Sequence, residues 1–239
     1  LSAGRLEQAI PLFEQNLADT ERILGPDHPN TLTAWDNLAH AHWSAGRLEQ
    51  TIDLLKQNLA DRERILGPDH PNTLASRNNL ALAYQDAGRL KQAIDLHERT
   101  LADCERLLGP DHPDTLTSRG NLASAYESAG RLDEAIDLFE RNLADSERVL
   151  GPDHTHTLTS RNNLAVAYES AGRLDEAIDL FEQNLAEALR VLGPDHPHTR
   201  ISRKNLADTY RAVGRSEDAE ALLDPPSDPD DTDTEAPTC

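Results

Sequence analysis

Residues 168–182 read YESAGRLDEAIDLFE, and the same fifteen letters stand at 126–140. The copies lie 42 residues apart, and the Gly-Arg pair within them keeps that beat along the chain, at Gly4, Gly46, Gly88, Gly130, Gly172 and Gly214. A fixed period of roughly 20–50 residues marks a repeat architecture, in which each unit buries its apolar face on its neighbours. In the fourth unit, HTLTSRNNLAVAYESA (156–171) places Leu158, Leu164, Ala165 and Tyr168 at helical spacing, and Gly172 ends the run. RLDEAIDLFEQNLAEALRVL (173–192) then aligns Leu174, Ala177, Ile178, Phe181, Leu185, Ala188 and Leu192 as one stripe, stopped by Gly193 and Pro194. No alternating run reads as a strand. The sequence predicts an all-α fold built from pairs of helices.

Composition agrees with a thin, extended core. Only 37% of the 239 residues are hydrophobic and 4% aromatic, too few for one large globular interior. The net charge of −20 argues against nucleic acid, whose phosphates call for clustered Lys and Arg, and against an anionic membrane surface. No stretch approaches the ~20 apolar residues that span a bilayer. With no Met in the chain, Leu1 is read as a position inside a longer gene product, so an upstream domain is expected. The two cysteines, Cys104 and Cys239, make no disulfide framework and fit a reducing, cytoplasmic setting. The equivalents of Cys104 are Thr20, Arg62, Ser146 and Ala188, a variation that speaks against a special thiol there.

A period of 42 leaves two families open, since HEAT and armadillo units run about 40–47 residues and the standard tetratricopeptide unit about 34. Residue identity separates them. Leu164, Ala165 and Tyr168, followed by Ala177 and Phe181, match the tetratricopeptide pattern of Leu and Tyr in the first helix and Ala-x₃-Phe in the second. Leu122, Ala123, Tyr126, Ala135 and Phe139 repeat it; Leu80, Ala81, Tyr84 and Ala93 do so with His97 in the Phe position. Trp35 keeps the pattern's first residue, whereas Arg77, Arg119, Arg161 and Arg203 replace it elsewhere. The chain thus resembles a tetratricopeptide array with about eight residues added per unit. That longer form, with NNLA in the first helix and an LGPDHP-type link, resembles the repeats of kinesin light chain. Bacterial relatives of those repeats often form the C-terminal sensor half of signal-transducing NTPases of the NB-ARC type.

The resemblance implies a right-handed superhelical solenoid of antiparallel helix pairs. Residues 1–24 read as a second helix lacking its first. Residues 25–223 hold four full units and a shortened fifth, and 224–239 form an acidic, disordered tail.

Between helices stand GPDHPNTL (25–32, and again from 67), GPDHPDTL, GPDHTHTL and GPDHPHTR. Gly suits a left-handed residue after a helix, and the second Pro suits the first turn of the next. The Asp before it is expected to cap that turn, and the His to make a loop or cap contact. Zinc would need several ligands at about 2.0–2.1 Å, which one Asp-His pair cannot supply. No phosphate loop, GxGxxG, GxSxG or HExxH occurs, so no cofactor and no catalytic group is assigned.

In tetratricopeptide arrays the first helices line a concave surface. By that resemblance the groove columns are Asp36, Asn78, Gly120, Asn162 and Lys204; His40, Leu82, Ser124, Val166 and Asp208; and Trp43, Gln85, Glu127, Glu169 and Arg211. One polar column is constant: Asn37, Asn79, Asn121, Asn163 and Asn205. An amide both donates and accepts, so it can pair with the backbone of an extended peptide of any sequence, or else brace its own helix pair. The Arg column, Arg77, Arg119, Arg161 and Arg203, either grips acids on a partner or packs between helices and pairs locally. The expected function is a non-catalytic scaffold for a peptide or protein partner, with Asn78 and Asn162 beside the Asn column, sensing for a larger signalling protein. The alternative is self-association, repeat ends stacking into a homo-oligomer.

Overall fold

A computed structural model describes residues 3–223, with side chains from residue 8 onward; the sequence-predicted acidic tail lies outside the described residues. These residues form eleven helices and no strand. They are α1 (Ala3–Leu24), α2 (Pro29–Ser44), α3 (Leu48–Leu66), α4 (Pro71–Asp86), α5 (Leu90–Leu108), α6 (Pro113–Ser128), α7 (Leu132–Leu150), α8 (Thr155–Ser170), α9 (Leu174–Leu192), α10 (Pro197–Ala212) and α11 (Ser216–Leu223). Contacts divide the chain after Asp145 into two compact units. In the first, each helix from α1 to α6 packs on the next in sequence, and α4 also touches α6. In the second, α8 packs on α9, α9 on α10 and α10 on α11.

The core is a run of thin layers. Ala81, Ala83, Ala123 and Ala125 in the first unit, and Ala165 and Ala167 in the second, are wholly or almost wholly buried and let helices approach closely. Each layer is then filled by a few larger groups. Ile52, Leu55, Leu80 and Tyr84 share one, and Ile178, Phe181, Leu206 and Tyr210 another. Burying each such side chain contributes about 1.5–3 kcal/mol. His97 occupies the column of Phe139 and Phe181 and is just as buried, but neither ring nitrogen finds a partner. Burial therefore holds its pKa down, at about 4.

First helices end in a Schellman turn. At Gly130 (φ +72°) the amide bonds to the Glu127 carbonyl at 2.9 Å, and the Arg131 amide to that of Tyr126 at 2.9 Å. The Arg131 guanidinium then lies over the Tyr126 ring, 4.1 Å from its centre. Arg173 on Tyr168 and Arg215 on Tyr210 repeat this at 4.1 and 4.0 Å, whereas Arg89 pairs with Glu49 and Lys56 lies over the Tyr84 ring.

The GPDHP links correct the sequence reading in two ways. Histidine, not Asp, is the cap: Nδ1 of His28, His70, His112, His154 and His196 accepts the amide of the residue two further on, at 3.1–3.2 Å. The Asp instead reaches along the stack to the next second helix. Asp27 pairs with Arg64 at 2.5 Å, Asp69 with Arg106 at 2.7 Å, and Asp153 with Arg190. The link Gly is also not left-handed helical; Gly67 has φ +90° and ψ 161°, a region closed to side chains. Its counterparts' carbonyls at Gly25, Gly109 and Gly151 accept the hydroxyls of buried Thr31, Thr115 and Thr157 at 2.8 Å.

Two outcomes follow. His112→Ala removes a cap and lowers stability by ~1 kcal/mol, while His112→Asn keeps an acceptor and loses little, as urea midpoints will record. His97→Phe removes two buried, unpaired nitrogens and raises stability by roughly 1–3 kcal/mol at pH 7, seen as a higher urea midpoint. Because the folded pKa of His97 lies below the ordinary 6.5, the unfolded chain takes the proton first as pH falls. The stability held by neutral His97 is full above pH 6.5 and is lost toward pH 4, at up to about 1.4 kcal/mol per pH unit. His97→Phe flattens that slope; an unchanged slope would remove His97 as its source.

Candidate functional site

The first helices carry the sequence-predicted columns, and their surroundings separate those columns sharply. Asn37 and Asn79 are exposed, and Asn121 and Asn163 half-buried. Among the described residues no side-chain hydrogen bond engages these four amides. Asn205 differs, donating to the Asn162 carbonyl oxygen at 3.0 Å. Asn78 is half-buried with its carbonyl oxygen enclosed and unpartnered.

The Arg column lies inward. Arg77, Arg119 and Arg161 are buried, and their charges are met within the chain. Arg77 bridges Asp103 at 2.7 Å and Glu63 at 3.0 Å. Arg119 bridges Asp145 at 2.7 Å and Glu105 at 3.4 Å. Arg161 pairs with Glu147 at 2.7 Å. Arg203 is half-buried. Burial raises the Asp103 pKa, yet hydrogen bonds from Arg106 and Arg77 outweigh it and hold the carboxyl below its usual range. Guanidiniums committed in this way have little left to offer a partner. Removing one would strand carboxylates at a helix junction, a costlier loss than breaking an exposed pair.

The third column, expected to face a ligand, instead laces neighbouring first helices. Trp43 Nε1 donates to Asp86 at 2.7 Å, Gln85 to Ser128 at 2.9 Å, and Thr209 to Glu169 at 3.2 Å. Asp36 is likewise engaged, by Arg62 and by Asn58 at 2.6 Å. Burial outweighs both partners and pushes its carboxyl pKa up. Asn58 belongs to a second-helix column, Asn58, Asn142 and Asn184, that is fully buried and that sequence reasoning passed over. Asn58 ties α3 to the Leu32 carbonyl at 3.2 Å, and Asn184 ties α9 to Ser202 at 2.9 Å. Its signal was recurrence of a polar residue on an otherwise apolar stripe.

Between α4 and α6 the surface opens into a groove of about 380 Å³. Leu74, Leu82, Cys104 and Leu108 form its apolar floor, and Asn78, Asn79, Asn121, Thr117 and Asp114 its rim. The Cys104 position, set aside in the sequence for its variability, is thus part of this floor. Burial pushes the Cys104 thiol pKa up, so it behaves as a small apolar group. Among the described residues no three His, Cys, Asp or Glu side chains converge as metal ligands, and no helix is long and apolar enough to cross a membrane.

Known proteins share this fold. The tetratricopeptide repeat family matches at residues 1–57, 33–104, 75–144, 121–186 and 165–224. The crystal structure of a kinesin-light-chain-type protein of Podosopora anserina, with nearly identical TPR-like repeats, is 34% identical. The match covers 82% of this chain and 93% of that one, with a TM-score of 0.69. BtubC (BKLC) from P. vanneervenii shares the fold at 22% identity, a TM-score of 0.75, and coverage of 92% and 88%. No curated protein matches the chain. Tetratricopeptide repeats generally mediate protein–protein interaction and scaffolding, and the family is generally non-enzymatic. The chain belongs to the tetratricopeptide repeat family, in its kinesin-light-chain-like form.

Proposed function

We propose that this chain holds an extended peptide segment of a protein partner along its first helices, as the cytoplasmic, partner-sensing part of a larger signalling protein. The observation that carries the reading is the contrast between polar columns. Buried Arg77, Arg119 and Arg161 and the Trp43–Asp86 type of lacing are consumed within the fold, while the amides of Asn37, Asn79, Asn121 and Asn163 stay free. Free amides at a fixed interval pair with a peptide backbone whatever its side chains are. The arginines serve this surface indirectly, by fixing the helices that bear the Asn column. The test is a lysate pull-down with wild type and with Asn79→Ala/Asn121→Ala/Asn163→Ala, after circular dichroism has matched their melting. A partner kept by wild type and lost by the triple variant is the expected result; identical captures by both would reject the Asn column as the binding element.

Self-association has its own observation. On α1, Leu12 and Ile23 are 68% and 66% exposed, two large apolar side chains on a face that other second helices of the array cover more fully. If copies meet there, sedimentation will show mass rising with concentration in wild type, and Leu12→Glu/Ile23→Glu will stay monomeric. A monomer at every concentration would dismiss the idea.

A further inference from the structure

The groove between α4 and α6 has no open counterpart one unit earlier, and the reason lies in two columns. In the Cys104 column stands Arg62, whose guanidinium crosses the same space, donating to Ser76 Oγ at 2.8 Å and the Asn72 carbonyl at 3.1 Å while pairing with Asp36. The earlier space is therefore plugged. In the second compact unit the counterparts of Asn78 and Asn121, Asn162 and Asn205, are hydrogen-bonded to each other, and Ser146, in the Cys104 column, is met by His156 at 3.3 Å. Among the described residues, a small floor residue of this column, Cys104, is paired with an outward-turned acid, Asp114, at α4 and α6. The Asp114 side chain is 70% exposed, and the His112 Nδ1 lies 3.8 Å from it. The floor is apolar, the rim is amide and carboxylate, and Asn78, which lines the groove, has an enclosed carbonyl oxygen with no partner.

Charge narrows the occupant. In α2, α4 and α6 the only Lys or Arg residues are Arg77 and Arg119, both buried in ion pairs. Asp114 and Asp86 are exposed on the same helices, and the whole chain carries −20. On α4 and α6 an acidic ligand would meet Asp86 and Asp114 with no free Lys or Arg to offset them, and on α5 the cation nearest the floor, Arg106, is already paired with Asp69 and Asp103, whereas a basic ligand is drawn in.

We infer that this groove is a side-chain pocket that takes one bulky aliphatic or aromatic residue of a bound segment, flanked in that segment by lysine or arginine. The inference rests on the reading that Asn79 and Asn121 hold the segment's backbone. The apolar side chain sits on Leu74, Leu82 and Leu108 with Cys104 beneath it, and the flanking cation lies against Asp114. Cys104 makes room for the anchor, Asp114 sets the sign of its neighbour, and the amides set the register.

The probes are three fluorescein-labelled synthetic peptide pools on one Gly-Ser frame. One carries Leu or Phe flanked by Lys and Arg, one the same residues flanked by Glu, and one Lys and Arg flanking Ser. Fluorescence anisotropy on the full chain is expected to rank the first pool tightest, by about tenfold or more over each of the others. Asn78→Asp/Cys104→Arg rebuilds the plug of the preceding unit and loses that tenfold; Cys104→Leu fills the floor without charge and does the same. Asp114→Lys cancels the preference for basic over acidic flanks. Equal binding of the three pools, a tighter acidic pool, or undiminished binding to both plugged variants would overturn the inference. Asn79→Ala/Asn121→Ala on the first pool separates the two readings. Binding that is sensitive to the plug but not to the amides upholds the pocket and rejects the backbone role. Loss of partner capture in the Asn variants, with no pool preferred, rejects the pocket and keeps the groove.

Discussion

A pair of helices with so few large apolar residues cannot close its own core, and every other feature of the chain answers that constraint. Each layer is completed by a helix from the neighbouring unit: Ala39 of α2 joins Ile52 of α3 and Tyr84 of α4 in one cluster, and Ala165, Phe181 and Tyr210 join across α8, α9 and α10 in another. Stability in such a stack is a sum of unit and neighbour terms. Alanine at the contacts is then an asset, because it brings helices close and allows a thin layer to be filled by one Phe, Leu or Tyr.

Close packing leaves little margin for misaligned units, and the polar residues supply alignment. The GPDHxxT link works at both of its ends. Its His caps the helix that follows, its Asp clamps an Arg near the end of the unit's second helix, and its Thr satisfies the link Gly carbonyl. The exposed Asp–Arg pairs are each worth ~0–1 kcal/mol, so their contribution is to register more than to stability. The buried Arg77 and Arg119 bridges and the Asn58 and Asn184 ties do the same work between helix faces, where an unpaired charge or amide would be costly. Within the first compact unit, a surface held this firmly can present the unpaired amides of Asn37, Asn79 and Asn121 in fixed positions. It can also vary locally without disturbing its neighbours, as the exchange of Arg62 for Cys104 illustrates.

Much of this was legible in the letters alone. The verbatim copy at 126–140 and 168–182, the period and the Leu-Ala-Tyr and Ala-Phe positions determined an all-α tetratricopeptide stack, because helical periodicity and glycine stops are local properties that survive without tertiary context. The constancy of Asn37, Asn79, Asn121, Asn163 and Asn205 was equally plain. What sequence could not decide was which polar residue meets which. Asp was read as the cap and His as making a loop or cap contact; in the tertiary structure His alone caps, because an Arg from the second helix of the same unit is within reach of Asp27 and Asp69. Trp43, Gln85 and Glu169 looked free for a ligand until the adjoining first helix supplied their partners. The Cys104 column looked indifferent, since its meaning depends on whether a side chain crosses to the next helix or stops short. Sequence by itself determined the helices, their pairing and their family; only tertiary structure decided which polar groups were consumed by stacking and which remained for a partner, because that depends on contacts about 40 residues apart.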